Sequence, residues 1–219
     1  MKLVIKFPTR GRSNKFLLVL KKYIDYLDDK TTQIIVTCDN DDEDMKQPHI
    51  KEVLSNYSNV KVFFGDNKSK IEAINANLTD IDFDVVLLAS DDMIPIKKGF
   101  DTIIKESMKK HYPDTDGVLW FNDGYQGKKL NTLSILGKKY YERFNYIYYP
   151  EYISVWCDNE FMSVANILGK QTYFDEVIIQ HQHPDWGFGS RDGIHSLNSK
   201  NESYDRELYD KRKKINFEL

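Results

Sequence analysis

The chain has 219 residues, 41% apolar and 30% charged, with a formal net charge of −3. That is enough apolar sequence for the core of one α/β domain. There is no basic excess to form a nucleic-acid footprint, and no apolar run of about eighteen residues to cross a bilayer.

Cys38 and Cys157 lie far apart with no CxxC spacing, so neither a zinc site nor a disulfide framework is expected. The reading for both is a small buried residue. "MKLVIKFPTR" has a short apolar run broken by Pro8 and Arg10, which does not fit a secretory signal. The expected setting is therefore cytoplasmic.

In chain order, "KLVIKF" reads as a strand, and "RSNKFLLVLKKYIDYLDD" as a helix capped by Ser13 or Asn14. "TQIIVTCD" is a second strand, and a short helix follows Pro48. "VKVFFGD" is a third strand, "SKIEAINANLT" a helix, "FDVVLLASDD" a fourth strand and "KKGFDTIIKESMKKHY" a helix. This alternation predicts an α/β fold with a mostly parallel sheet and helices on both faces. The second half is less regular. "DGVLWFNDG" is a strand, and "NTLSILGKKYYERFNYI" holds a strand and a short helix. "SVWCDNEFMSVANILGK" is a helix with Gly169 at its C′ position. "QTYFDEVIIQHQHPDW" reads as one strand ending in His181 and His183. The tail from Asn201 is a polar helix or arm. One domain is expected: a ligand-binding half (1–115), a second half (116–195) and the tail (196–219).

Ligands bind such sheets at the C-terminal strand ends. Here those ends read "PTRGR", "CDNDDED", "GDNKSK" and "SDD". Acidic groups beside a few basic ones suit a phosphate-bearing ligand held through a metal. The adjacent Asp91 and Asp92 repel each other, and successive strand residues face opposite ways. Two readings stand for the pair: a turn in which Asp bonds local backbone, or a cation site. The Tyr-rich "KKYYERFNYIYYPEY" is equally a sugar-stacking surface or core filling.

Five segments in order resemble the GT-A fold glycosyltransferases, particularly the inverting family 2. "VVLLASDDMIPIKKGFD" resembles the DXD-type strand end, and "KFPTRGR" the first strand and nucleotide loop. "IIVTCDND" resembles the base-reading second strand. "KIEAINANL" resembles "ARNxGL", with Asn77 where Gly is usual. "CDNEFMSVANILG" resembles "EDxDLxxRxxxxG", with Cys157 in place of Glu. The resemblance covers most of Lys2 to Trp186. It implies a GT-A (Rossmann-like) sheet with a smaller mixed acceptor-side region. It also implies a nucleoside-diphosphate sugar donor, a UDP-sugar first among them, a Mn2+ or Mg2+ cofactor, and a glycan or other hydroxyl-bearing acceptor.

On that resemblance Asp92 is the metal ligand, completed by His183 or His181. The two histidines stand two apart on a strand, a workable chelate spacing, although an ordinary polar pair reads the same way. Pro8, Thr9, Arg10, Asp39, Lys70, Asn75 and Asp91 contact the nucleotide sugar. Asp158 is the base that takes the acceptor proton, with Glu160 as the alternative. Asp123 and Trp186 hold the acceptor. The competing readings are a non-catalytic nucleotide-sugar or glycan-binding domain, a nucleotidyltransferase, for which "PTRGRSNK" lacks the glycine-rich loop, and a metal-dependent nuclease, which wants a basic track.

Overall fold

Strands apolar on both sides need cover on both sides, and the first half of the chain supplies it. In this computed structural model, which describes residues 1–182 and 201–219, β1 (Leu3–Pro8), β2 (Gln33–Asp39), β3 (Val60–Gly65) and β4 (Val85–Leu88) are parallel. They alternate with α1 (Ser13–Tyr26), α2 (Pro48–Ser55) and α3 (Lys70–Asn75). Leu3, Ile5 and Phe7 of β1 pack with Phe16, Leu20 and Tyr23 of α1 and with α4 (Phe100–His111). The other face carries Val4, Ile35, Val86 and Leu88 against Ile71 and Ile74 of α3. Each large side chain buried in this way contributes about 1.5–3 kcal/mol. Lys6 is the exception among these residues. It is fully buried and bonds the Thr37 hydroxyl, and burial pushes its ammonium down to about 7.

β5 (Met93–Pro95) follows β4. β6 (Val118–Phe121), β7 (Ile135–Gly137) and β8 (Gln171–Phe174) complete the main sheet. Among the described residues its order is β3-β2-β1-β4-β7-β6-β8, with β7 antiparallel to both neighbours. The second half adds α5 (Lys138–Glu142), α6 (Cys157–Ile167) and α7 (Glu202–Lys214). Tyr140, Tyr141, Tyr148 and Tyr152 are buried in the second core cluster, so most of the Tyr-rich segment is core. Cys38 and Cys157 are free, buried thiols.

The sequence reading is corrected at three places. β4 stops at Leu88, and Asp91 and Asp92 lie in a turn rather than on the strand. The expected single strand from Gln171 is two. β8 pairs with β6 as far as Phe174; after the exposed Asp175 and Glu176, β9 (Ile179–His181) pairs with β5 instead. Helix α1 has Arg12 at its N-cap with no side-chain cap, because the Ser13 amide donates to Asp44 at 2.7 Å. Gly169 lies where the sequence put it. Its φ is +63°, and Lys170 and Gly169 donate to Ala165 and Asn166, a Schellman ending.

Gly137 tests the packing between β7 and the loop before β6. A Cβ there would lie 2.1 Å from the Thr115 carbonyl oxygen. Gly137→Ala is expected to lower unfolding stability by about 1–3 kcal/mol in urea titration; an unchanged midpoint contradicts this packing.

Candidate active site

The turn after β4 sends its two carboxylates to different cations. Asp91, 8% exposed, turns to the start of α1. Arg12 Nη1 donates to its two oxygens at 3.0 and 3.3 Å, and Lys15 Nζ lies 3.3 Å away. Asp92 accepts from the Ser90 hydroxyl and faces His181, with Nε2 3.6 Å from Oδ2.

Strand pairing places that imidazole. Met93 of β5 stands opposite His181 of β9. The His181 amide donates to the Asp123 carbonyl at 3.0 Å, and the Gln182 amide to the Asp92 carbonyl at 2.7 Å. His181 is thereby held between two carboxylates, with Nδ1 3.8 Å from Asp123 Oδ2. Burial pulls the imidazole pKa down, but Asp123 and Asp92 lift it to about 9. Burial likewise opposes ionisation of Asp92. His181, the Ser90 hydroxyl and the charge of Lys70 outweigh it and hold the acid well below the carboxylate range. For Asp123 burial is outweighed by His181 and by hydrogen bonds, which bring it to about 2.

The edge expected to take the nucleotide is more heavily bonded than its sequence suggests. Pro8 ends β1, and the Thr9 amide donates to the Thr37 carbonyl at 3.0 Å. The buried Thr9 hydroxyl has no partner among the described residues. Arg10 donates to Asp39 at 2.5 Å and to Asp41 at 2.5 and 2.9 Å. Asp39 also accepts from Asn67 at 2.8 Å, and Asp42 accepts the Gly11 amide at 2.9 Å. Much of the acidic run thus fastens the "TRGRS" loop. Beside it Asp39, Asn40, Asp41, Gly65, Asp66 and Asn67 line a cleft of about 400 Å³. Lys70, exposed at the first position of α3, exerts its charge on both Asp92 and Asp158.

Asp158 is the second residue of α6, and its carboxylate accepts the Asn159 amide at 2.9 Å. The helix dipole favours the ionised acid, but burial prevails and raises its pKa. The Asn159 amide, Lys70 and His181 offset that rise only in part.

Three expected contacts are corrected. Asn75 donates to the Tyr148 carbonyl at 2.7 Å and accepts the Ile147 and Tyr148 amides at 2.9 and 3.1 Å. Its amide is thereby engaged in fixing a loop. Glu160 accepts Arg212 Nε on both oxygens, at 3.0 and 2.8 Å, and the Tyr152 hydroxyl at 2.9 Å. Removing one partner of such a buried pair costs about 3–5 kcal/mol, so Glu160 is structural and not a free base. Asp123 is 2% exposed, with Oδ1 on the Tyr125 and Gln126 amides and Oδ2 on Thr132. It therefore supports His181 and is closed to an acceptor. His183 and Trp186 lie outside the described residues.

Ser90, Arg12 and Lys15 escaped the sequence reading. The signal for Arg12 was its place two residues after Arg10 in the same loop. Among the described residues no group of three or more His, Cys, Asp or Glu side chains converges on a metal position. Asp92 and His181 still pair a hard oxygen with an imidazole nitrogen, a donor set that suits Mn2+. The cation would have to displace the imidazole proton.

No protein-family model matches the chain, and no curated protein matches it. Solved structures do. A mannosyltransferase from Pyrobaculum calidifontis, in complex with GDP-mannose and Mn2+, matches with a TM-score of 0.68 at 12% identity, over 85% of this chain and 58% of its own. S. aureus TarS 1-349 in complex with UDP-GlcNAc matches at 0.67 and 18% identity, over 89% and 60%. A 4-diphosphocytidyl-2C-methyl-D-erythritol synthase from Anaerococcus prevotii matches at 0.54 and 13% identity, over 92% and 96%. The chain has the GT-A glycosyltransferase fold. It spans 58% and 60% of the length of the two glycosyltransferases it matches. Among the described residues no helix is long and apolar enough to cross a membrane.

The His181 bridge has a direct readout. In EDTA its imidazole is expected to titrate near 9 by NMR, and lower in Asp123→Asn. A folded-state pKa above the ordinary 6.5 makes this contribution to stability complete below 6.5 and lost as pH rises through about 9. Titration at the ordinary value rules the bridge out.

Proposed function

We propose that the chain is a metal-dependent glycosyltransferase. It moves a sugar from a nucleoside-diphosphate sugar, with a UDP-sugar as the first donor to test, to an acceptor hydroxyl with inversion. The observation that carries this reading is that Asp92 and Asp158 both lie within reach of the charges of Lys70 and His181 in a GT-A fold. The resemblance of five segments to family 2 supports it.

Asp92 and His181 would hold Mn2+ or Mg2+, joined by His183 where that residue reaches. When bound, the ion supplies a Lewis acid for the charge that gathers on the leaving diphosphate. Lys70 adds a positive charge on the same side, and the Thr9 hydroxyl and Arg10 offer donors to the phosphates or ribose. Asp39 and Asn67 edge the cleft that takes the base. Asp91, expected to contact the nucleotide sugar, is instead held by Arg12 and Lys15 and would shape the turn that aims Asp92. Asp158 takes the proton of the acceptor hydroxyl as that oxygen attacks the anomeric carbon and the bond to phosphate breaks. Its raised pKa strengthens it as a base and moves the acid limb of the rate profile upward.

The nucleotidyltransferase reading draws on the fold it shares with the Anaerococcus synthase, and it is tested alongside. Calorimetry of UDP, GDP and CDP with Mn2+, then EDTA, is expected to give metal-dependent binding of one nucleotide. Asp92→Ala is expected to weaken that binding about 10- to 100-fold. No binding to the folded protein defeats the proposal, and turnover of a nucleoside triphosphate with sugar phosphate favours the alternative.

Asp158→Asn separates binding from chemistry. Transfer is expected to fall about 10²- to 10⁴-fold with nucleotide affinity retained. A variant as fast as wild type removes Asp158 from the reaction.

A further inference from the structure

The tail reads as a polar helix or arm, yet two of its charged residues are buried. Asp205 of α7 is 0% exposed. Its carboxylate accepts three consecutive amides, those of Ile153, Ser154 and Val155, each at 2.9 Å. The next residue, Trp156, has φ +62°, an outlier for a bulky side chain. Its ring rests on Tyr209 of α7, 5.4 Å between centroids, and the Arg206 guanidinium lies over the same ring at 5.7 Å. One residue later α6 begins, and Asp158 stands in its first turn.

A second clasp grips the same turn of α6. Arg212 forks onto Glu160 and lies 3.3 Å from the Tyr149 ring centroid. It also donates to Glu218 and to the Phe217 carbonyl, in a terminal turn where Asn216, Phe217 and Glu218 all have positive φ. The strained turn before α6 and the strained turn after α7 are thus joined through two buried charges.

We infer that Asp205 and Arg212 are positioning residues of the transfer site: α7 fixes the 153–156 turn and the first turn of α6, and so fixes where the Asp158 carboxylate stands. This rests on the reading of Asp158 as the base. A hydrophobic contact alone would leave the turn free to choose its backbone angles. Three amides on one carboxylate define both the direction and the depth of the helix start. An asparagine at 205 keeps one carbonyl oxygen and sets an N–H₂ group against the remaining backbone donors, so at least one amide loses its acceptor.

The test compares wild type, Asp205→Asn and Asp210→Asn, an exposed site on the same helix, in the full chain with Mn2+. UDP-GlcNAc and GDP-mannose serve as donor probes. Hydrogen exchange of the 153–158 amides is expected to speed up about 10-fold in Asp205→Asn only. Donor turnover is expected to lose about 10- to 100-fold in kcat with KM unchanged. Faster exchange with kcat intact, unchanged exchange, or a loss confined to KM each overturns the inference. Absence of wild-type turnover on both probes instead defeats the transferase reading, and this role with it. If Asp205→Asn does not fold, the comparison is made in a Trp156→Gly background, where glycine accepts the positive φ and relieves the turn. There the same fall in kcat relative to Trp156→Gly alone is expected, and no fall overturns the inference.

Discussion

Two carboxylates on adjacent residues at the end of a buried strand set the terms for the whole site. At about 5 Å and an effective dielectric of about 20, two like charges repel by about 3 kcal/mol, a large share of a domain's net stability. The chain relieves this by leaving the strand at Leu88 and turning Asp91 and Asp92 to different cations. Asp91 meets Arg12 and Lys15, which ties the start of α1 to the strand end. Asp92 meets His181, which requires β9 to lie along β5. The small two-stranded sheet, too short to stand alone, is therefore part of the electrostatics of the turn.

The parts legible in the sequence were those governed by local period and by burial on both faces. The apolar runs at Ile34–Val36 and Val85–Leu88 announced strands, and Gly169 announced the end of α6. β5 and β9 have three residues each, and no periodicity is readable over so short a span. The site residues split along a related line. Asp92 and Asp158 were singled out through motif order, and the structure brings both within reach of the charge of Lys70. Glu160 and Asn75 were misread because their partners, Arg212 and the Ile147–Tyr148 amides, lie 52 and more than 70 residues away. A sequence shows that a carboxylate is present; which cation reaches it first is decided by tertiary packing.

The same distinction separates the two sides of the site by strength. Arg10 is 49% exposed, and ion pairs of that kind contribute about 0–1 kcal/mol. Exchange of Asp39 and Asp41 at Arg10 for the oxygens of the proposed nucleotide would therefore cost little stability. Arg212 and Glu160 are 6% and 5% exposed, and their pair does not exchange without exposing or orphaning a buried charge. The edge around Arg10 is thus built from exposed contacts that part readily, and the α6 side from buried ones that do not. That division suits the proposed transfer, in which the donor would enter and its nucleotide leave while Asp158 stays in place at every turnover.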